Sequence, residues 1–214
     1  MKKIEDIYNE YKIMPQLREH MFRVAAVASL ICSNFTESLE KDNIISACLL
    51  HDMGNILKFD LRQTESFLNI NIDLEYWQSV KNEYIGKYGD NEHSASLKIA
   101  EEIGVSARTL ELIRAISFVE AVKNVSSEDY AKKIAEYCDD RVIPFGVVSM
   151  EERLMDLRKR YAHKGGDTPE RRAFESAVRE MEKQIFAKCK IKPEDINNET
   201  VKPIISELRN FVIK

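Results

Sequence analysis

Glycine and proline punctuate a chain, and this sequence of 214 residues contains only seven glycines and five prolines. Long stretches therefore run without a natural break. Within them apolar residues recur at three- and four-residue spacing, the signature of amphipathic helices rather than of strands, which need strict alternation. The expected fold class is all-α, a compact multi-helix bundle with a C-terminal helical extension.

Pro15 suits a first helical turn. The segment it opens, QLREHMFRVAAVASLICSNF, sets Leu17, Met21, Val24, Ala28 and Ile31 on one stripe, with His20 and Arg23 sharing a face beside it. A second helix is predicted from Leu39 to His51, with Ile44, Ile45, Cys48 and Leu49 inward, His51 and Asp52 in its last turn and Gly54 as its stop. Asp73 to Tyr88 is a further candidate, followed by a helix bracketed by Gly89 and Gly104 with His93 near its start, and by Arg108 to Val122. Ser126-Ser127-Glu128-Asp129 reads as a capping box for a helix through Cys138, and Ser149 to Glu152 as another for a charged helix through Tyr161. His163 to Asp167 reads as a loop, and Thr168-Pro169-Glu170 starts the next helix. Beyond Asp167, two charged amphipathic helices split by Lys192-Pro193 carry no cluster of chemically active residues. The expected division is thus 1–165 as the working domain and 166–214 as a packing appendage.

The net charge of -4 and pI near 5.7, with Lys and Arg interspersed among Asp and Glu, argue against a general nucleic-acid surface. Cys32, Cys48, Cys138 and Cys189 lie far apart with no CxxC pair, which fits free thiols in the cytoplasm. The start, MKKIEDIYNEYK, lacks an apolar core, and no apolar run approaches membrane-spanning length, so neither a secretion signal nor a membrane segment is expected.

The stretch ACLLHDMGNILKF, Ala47 to Phe59, places His51 and Asp52 side by side at the end of an apolar run. A charged aspartate in such surroundings is costly unless paired, and a divalent cation is the strongest partner available. Adjacent helical side chains diverge by about 100°, so the two reach one point only at the edge between their faces, where an ion fits. Further ligands must come from elsewhere: His20, His93, His163, and Asp139, which ends the apolar-faced IAEYCDDRV between Cys138 and Val142. Asp140 is the neighbouring alternative. Taken singly, His20 and His93 read as ordinary helix histidines, His163 as a solvated loop residue, and the mixed charges of EERLMDLRKRYAHK as a solvated face.

In the order EHMFRV, LLHDMGN, EHSASLKIAEEIG and AEYCDDRV, these pieces resemble the HD-domain superfamily of metal-dependent phosphohydrolases over residues 15–161. The resemblance implies that His20, His51, Asp52 and Asp139 ligate a divalent metal, with Asp140 still open as the register alternative. His93 stands where several members carry a further histidine, but IRAISFVEAV lacks the later histidine pair of two-metal members, which favours one ion. Mixed imidazole and carboxylate ligands suit Mn, Fe, Co, Ni or Zn, with Mg also open.

The resemblance also implies hydrolysis of a phosphomonoester or phosphodiester, with a nucleotide expected, by attack of a metal-bound hydroxide. Asp52 would orient the water, and Arg23 would contact phosphate or pair with an acid. Many members carry Lys or Glu three residues after the HD aspartate, whereas this chain has Asn55, which hydrogen-bonds without charge or proton transfer. Lys58, Arg62, Lys81 and Lys87 are the available substitutes for that charge. The departure keeps open a non-catalytic, metal-containing nucleotide sensor, and a helical partner-binding protein is the remaining alternative. The expected partner is a small phosphate ester or nucleotide.

Overall fold

The computed structural model of the chain describes residues 1–63, 72–162 and 167–214. The expectation of an all-α bundle holds, since among the described residues strand structure is confined to pairs of two-residue strands and one isolated bridge, Phe35 to Cys189. The order is β1 (Lys2–Lys3), α1 (Ile4–Glu10), α2 (Pro15–Asn34), α3 (Lys41–Leu50), a 3-10 turn (Asn55–Lys58), α4 (Leu74–Tyr88), α5 (Glu92–Ile103), α6 (Ala107–Ala115), α7 (Ala121–Ser126) and α8 (Tyr130–Asp139). The hairpin β2 (Val142–Ile143) and β3 (Gly146–Val147) follows, then α9 (Met150–Arg160), α10 (Pro169–Phe186), a second 3-10 turn (Pro193–Asp195), α11 (Asn198–Leu208) and β4 (Val212–Ile213). No described helix is long and apolar enough to cross a membrane.

Helix α2 is the axis of the bundle. Its predicted stripe of Leu17, Met21, Val24, Ala28 and Ile31 is buried, and so are Phe22, Ala25, Ala26 and Val27, because α3, α8 and α11 pack around it. Small residues at Ala25, Ala26 and Ala28 let those neighbours approach closely. Helix α3 is buried from Ile44 to Leu50 and lies against α2, α6 and α8. Helix α10 packs on α7 and α8, and β4 pairs antiparallel with β1, Ile213 opposite Lys2, which returns the C-terminus to the first residues.

Several local expectations shift. Helix α3 stops at Leu50, so His51 is its C-cap and Asp52 lies in the turn beyond rather than in the last helical turn. The carbonyls at that end have other donors: the Tyr8 hydroxyl donates to Leu49 O at 2.7 Å, and His51 Nδ1 contacts Cys48 O at 2.9 Å. Gly54 is not a left-handed helix stop, as its φ is -89°. It is a point of close approach, where a Cβ would fall 2.3 Å from Glu92 O and 2.8 Å from Ala95 Cβ of α5. The helix predicted from Arg108 to Val122 breaks between Ala115 and Ala121. Asn124 Nδ2 donates to Ala115 O at 2.9 Å, and Ser117 N donates to the Glu136 carboxylate at 2.6 Å, so tertiary partners replace helical ones there. The cap of α8 is Asp129, which accepts from Ala131 N and Lys132 N, three residues after the predicted Ser126. The Ser149–Glu152 capping box and the Thr168 cap with Pro169 in the first turn form as expected. His163 lies outside the described residues.

Candidate metal centre

His20, His51, Asp52 and Asp139 converge from three separate places: the second turn of α2, the end of α3 with the turn after it, and the last residue of α8. Ligand atoms of His20, His51 and Asp52 all lie within 4.8 Å of one another. Asp139 Oδ1 joins them at 2.9 Å from His20 Nε2 and 3.3 Å from His51 Nε2, while the Asp52 carboxylate stands 3.5 Å from His20 Nε2 and 3.6 Å from His51 Nε2. His51 and Asp139 mark the carbonyl ends of α3 and α8, and the negative ends of helix dipoles favour a cation at this point.

His51 is 3% exposed. Its Nδ1, against the Cys48 carbonyl, acts as the donor, which leaves Nε2 with its lone pair toward the cluster. Among the described residues that buried Nε2 makes no hydrogen bond of good geometry, although Asp139 Oδ1 stands 3.3 Å away. An unpaired buried polar atom costs roughly 1–3 kcal/mol, and here it faces two carboxylates and a second imidazole. The residues therefore fit a divalent ion: two imidazole nitrogens and two carboxylates, with a backbone carbonyl fixing one imidazole from behind. In the absence of a cation a proton takes its place. Burial opposes the charged ring of His51, but Asp52 and Asp139 override it and raise its pKa from 6.5 to about 9. Burial opposes the charged form of Asp139 as well, here by raising its pKa, yet His20 and His51 hold its carboxyl well below the ordinary aspartate value.

Asp140 points elsewhere. It is 5% exposed, its Oδ1 stands 3.9 Å from Arg153 Nε, its Oδ2 has no hydrogen-bond partner, and burial first, then the neighbouring Asp139, pushes its pKa up to about 7 against the pull of Arg153. The geometry thus sets Asp139, and not Asp140, against the histidines. His93, in the first turn of α5, is half-buried; burial lowers its pKa and the charge of His51 adds to this. It stands outside the tight group of His20, His51 and Asp52 and does not line the adjoining cavity.

That cavity, of about 490 Å³, has His20, Asp52 and Asp139 in its wall together with Arg23 and Asn55. Arg23 is one turn along α2 from His20, and its guanidinium has no ion-pair partner among the described residues. Asn55, 4% exposed, opens the 3-10 turn, its N–H donating to Asp52 O at 3.0 Å. Of the suggested substitutes for the missing charge, only Lys58 lines the cavity. Lys81 donates to Phe59 O, and Lys87 pairs with Glu102 at the surface.

Sequence reasoning missed another part of the lining, which includes Phe145, Arg153, Leu157, Arg160 and Tyr161. The helix read as a solvated face of mixed charge buries Arg153, 9% exposed, and presents Leu157 and Arg160 to the cavity. Arg160 pairs with Asp156 one turn earlier, the usual arrangement of a surface helix, so spacing held no sign of the cavity.

No curated protein and no solved structure matches the chain. The sequence model of the family described as HD domain matches residues 17–139, which is more than half of the chain and runs from the start of α2 to the final aspartate of the cluster. The fold, the His-Asp pair in the turn after α3 and this match together place the chain in the HD domain family.

Proposed function

We propose that the protein is a phosphohydrolase that cleaves a phosphomonoester or phosphodiester, a nucleotide in the first instance, with His20, His51, Asp52 and Asp139 holding one divalent ion. Metal-dependent phosphohydrolysis is the general chemistry of HD domains. The observation that carries the reading is the buried Nε2 of His51, without a hydrogen bond of good geometry among the described residues, turned toward Asp52, Asp139 and His20 beside an open cavity. A divalent ion held there supplies water activation near neutral pH and polarisation of a phosphoryl oxygen.

The chain's own residues do the rest. Asp52, part exposed and lining the cavity, presents carboxylate oxygens that can accept a proton from an attacking water and hold it in line. Arg23 offers on the same cavity a guanidinium with no ion-pair partner among the described residues, suited to two oxygens of a phosphoryl group. Asn55 can donate through its amide to a phosphoryl oxygen without altering the charge of the site. Lys58 adds a positive charge at the exposed rim. The free state of all four cysteines supports a reducing, cytoplasmic setting.

The test is metal content by mass spectrometry on purified protein, followed by phosphate release from nucleoside mono-, di- and triphosphates and cyclic nucleotides with that metal. The expected result is turnover that disappears in Asp52→Ala. Metal-loaded protein that releases no phosphate from any of them refutes the nucleotide reading. Asn55 in place of a charged or proton-transferring residue favours one other reading, a metal-containing nucleotide sensor, which predicts binding without turnover.

A further inference from the structure

The family match ends at Asp139, yet part of the cavity lining comes from residues that follow it, among them Val142, Pro144, Phe145, Arg153, Leu157 and Tyr161. The candidate ligands and this part of the lining therefore belong to different stretches of the chain. Pro144 and Phe145 form the turn of the β2–β3 hairpin, in which Val142 pairs with Val147 and Ile143 with Gly146. Phe145 is 64% exposed and lines the same cavity as Phe59 and Tyr161. Apolar surface laid against the exposed part of this ring is removed from water together with it.

A two-residue hairpin pair is marginal by itself, and this one is clamped from the C-terminal segment. Val147 N donates to Asn198 Oδ1 at 2.9 Å, and Asn198 Nδ2 donates back to Val147 O at 3.3 Å. Gly146 has φ of +154°, and a Cβ there would fall 2.6 Å from Asn198 Oδ1, so glycine lets the clamp close. From the other side Arg141, 2% exposed, donates to Val148 O and to the carbonyls of Pro193 and Ile196 at 3.2 and 3.1 Å. The hairpin thus takes its position from the loop before α11 and the first turn of α11.

We infer that the Pro144–Phe145 turn, clamped by Asn198 and Arg141, selects the leaving group of the ester and favours an apolar, planar group over a small one. The inference rests on the phosphohydrolase reading of the site formed by His20, Asp52 and Asp139. The lining combines Arg23 and Asp52, which suit a phosphoryl group, with the rings of Phe59, Phe145 and Tyr161, which suit a flat apolar substituent on it. Phe145 is the contact residue, and Asn198, which does not line the cavity, is a positioning residue.

The experiment compares metal-loaded wild type, Phe145→Ala and Asn198→Ala on two pairs of probes. Phenyl and methyl phosphate read turnover; phenylphosphonate and methylphosphonate, which are not cleaved, read binding by calorimetry. Wild type is expected to prefer the phenyl member of each pair, and Phe145→Ala to lose about fivefold of that preference, in KM and in phosphonate affinity. Because Phe145 is exposed, its removal leaves the core intact. Asn198→Ala is expected to lower the preference in the same direction, through KM rather than kcat, with metal content unchanged. If neither phosphate is cleaved but phenylphosphonate binds preferentially and Phe145→Ala abolishes the preference, the selecting turn stands and the hydrolytic reading fails. Equal handling of phenyl and methyl probes by wild type, or an equal loss on both in Phe145→Ala, overturns the inference.

Discussion

Gly54 and Gly86 offer the same substitution in opposite surroundings. Gly54 follows Asp52 by two residues, and its N–H donates to Ser96 Oγ of α5 at 2.9 Å. A Cβ at Gly54 would lie 2.3 Å from Glu92 O, 2.8 Å from Ala95 Cβ and 2.9 Å from Ser96 N, two of which are backbone atoms that cannot rotate away. Its φ of -89° is open to any residue, so the cost of Gly54→Ala is steric alone. Overpacking of this kind costs about 1–3 kcal/mol, and weakening the bond to Ser96 adds about 1 kcal/mol. The reduced entropy of the unfolded chain returns about 0.4–1 kcal/mol. The net is a destabilisation of about 1–3.5 kcal/mol, or about 2–14 °C in Tm for a chain of this size. Gly86 sits on the exposed side of α4, and a Cβ there meets nothing within 4 Å. Gly86→Ala is expected to stabilise by about 0.5–1 kcal/mol through helix propensity. Urea unfolding of the two variants at matched m-values, with calorimetric Tm, measures the contrast. A loss below about 1 kcal/mol for Gly54→Ala would refute the claim that α5 is pressed against the turn bearing His51 and Asp52.

Three further outcomes follow from the site. Asp139→Asn is expected to weaken divalent-ion binding by more than the roughly 10–100-fold typical of an outer-shell change, while Asp140→Asn retains the ion; metal titration distinguishes them. Arg23→Ala is expected to lower kcat/KM for a phosphate ester by about 10- to 150-fold, the equivalent of about 1.5–3 kcal/mol for a charged hydrogen bond, with metal content unchanged. Burial, then Asp140 and Asp139, raises the Glu136 carboxyl well above 4.5. The folded state therefore holds that proton more tightly than the unfolded chain, so its stabilising contribution is complete below pH 4.5 and is lost as pH rises toward the folded pKa. Glu136→Gln, which keeps an oxygen for Ser117 N, is expected to flatten that decline in chelator-treated protein. An unchanged slope of unfolding free energy against pH would count against it.

Much of the helical order was legible because its signals act within a few residues. Pro15 at the start of α2, Asp73 accepting from Tyr76 N, Gly104 in the left-handed conformation after α5 and the Ser149–Glu152 box each involve atoms that any conformer of the local chain brings close. Residue types also betrayed the centre, since His51 and Asp52 end a run that is otherwise wholly apolar. Tertiary structure decided the rest. His20 and Asp139 are 119 residues apart, and only the packing of α8 on α2 and α3 turns Asp139 toward the histidines and Asp140 toward Arg153. The break after Ala115 rests on the side chains of Asn124 and Glu136, which no periodicity within α6 reports. Arg153 and Phe145 belong to the cavity because α9 and the hairpin fold back over it, held by Asn198 from another part of the chain. Spacing along a sequence records which face a residue shares with its near neighbours. Which distant group meets that face is set by the burial of the whole core, a sum over contacts that no short segment contains.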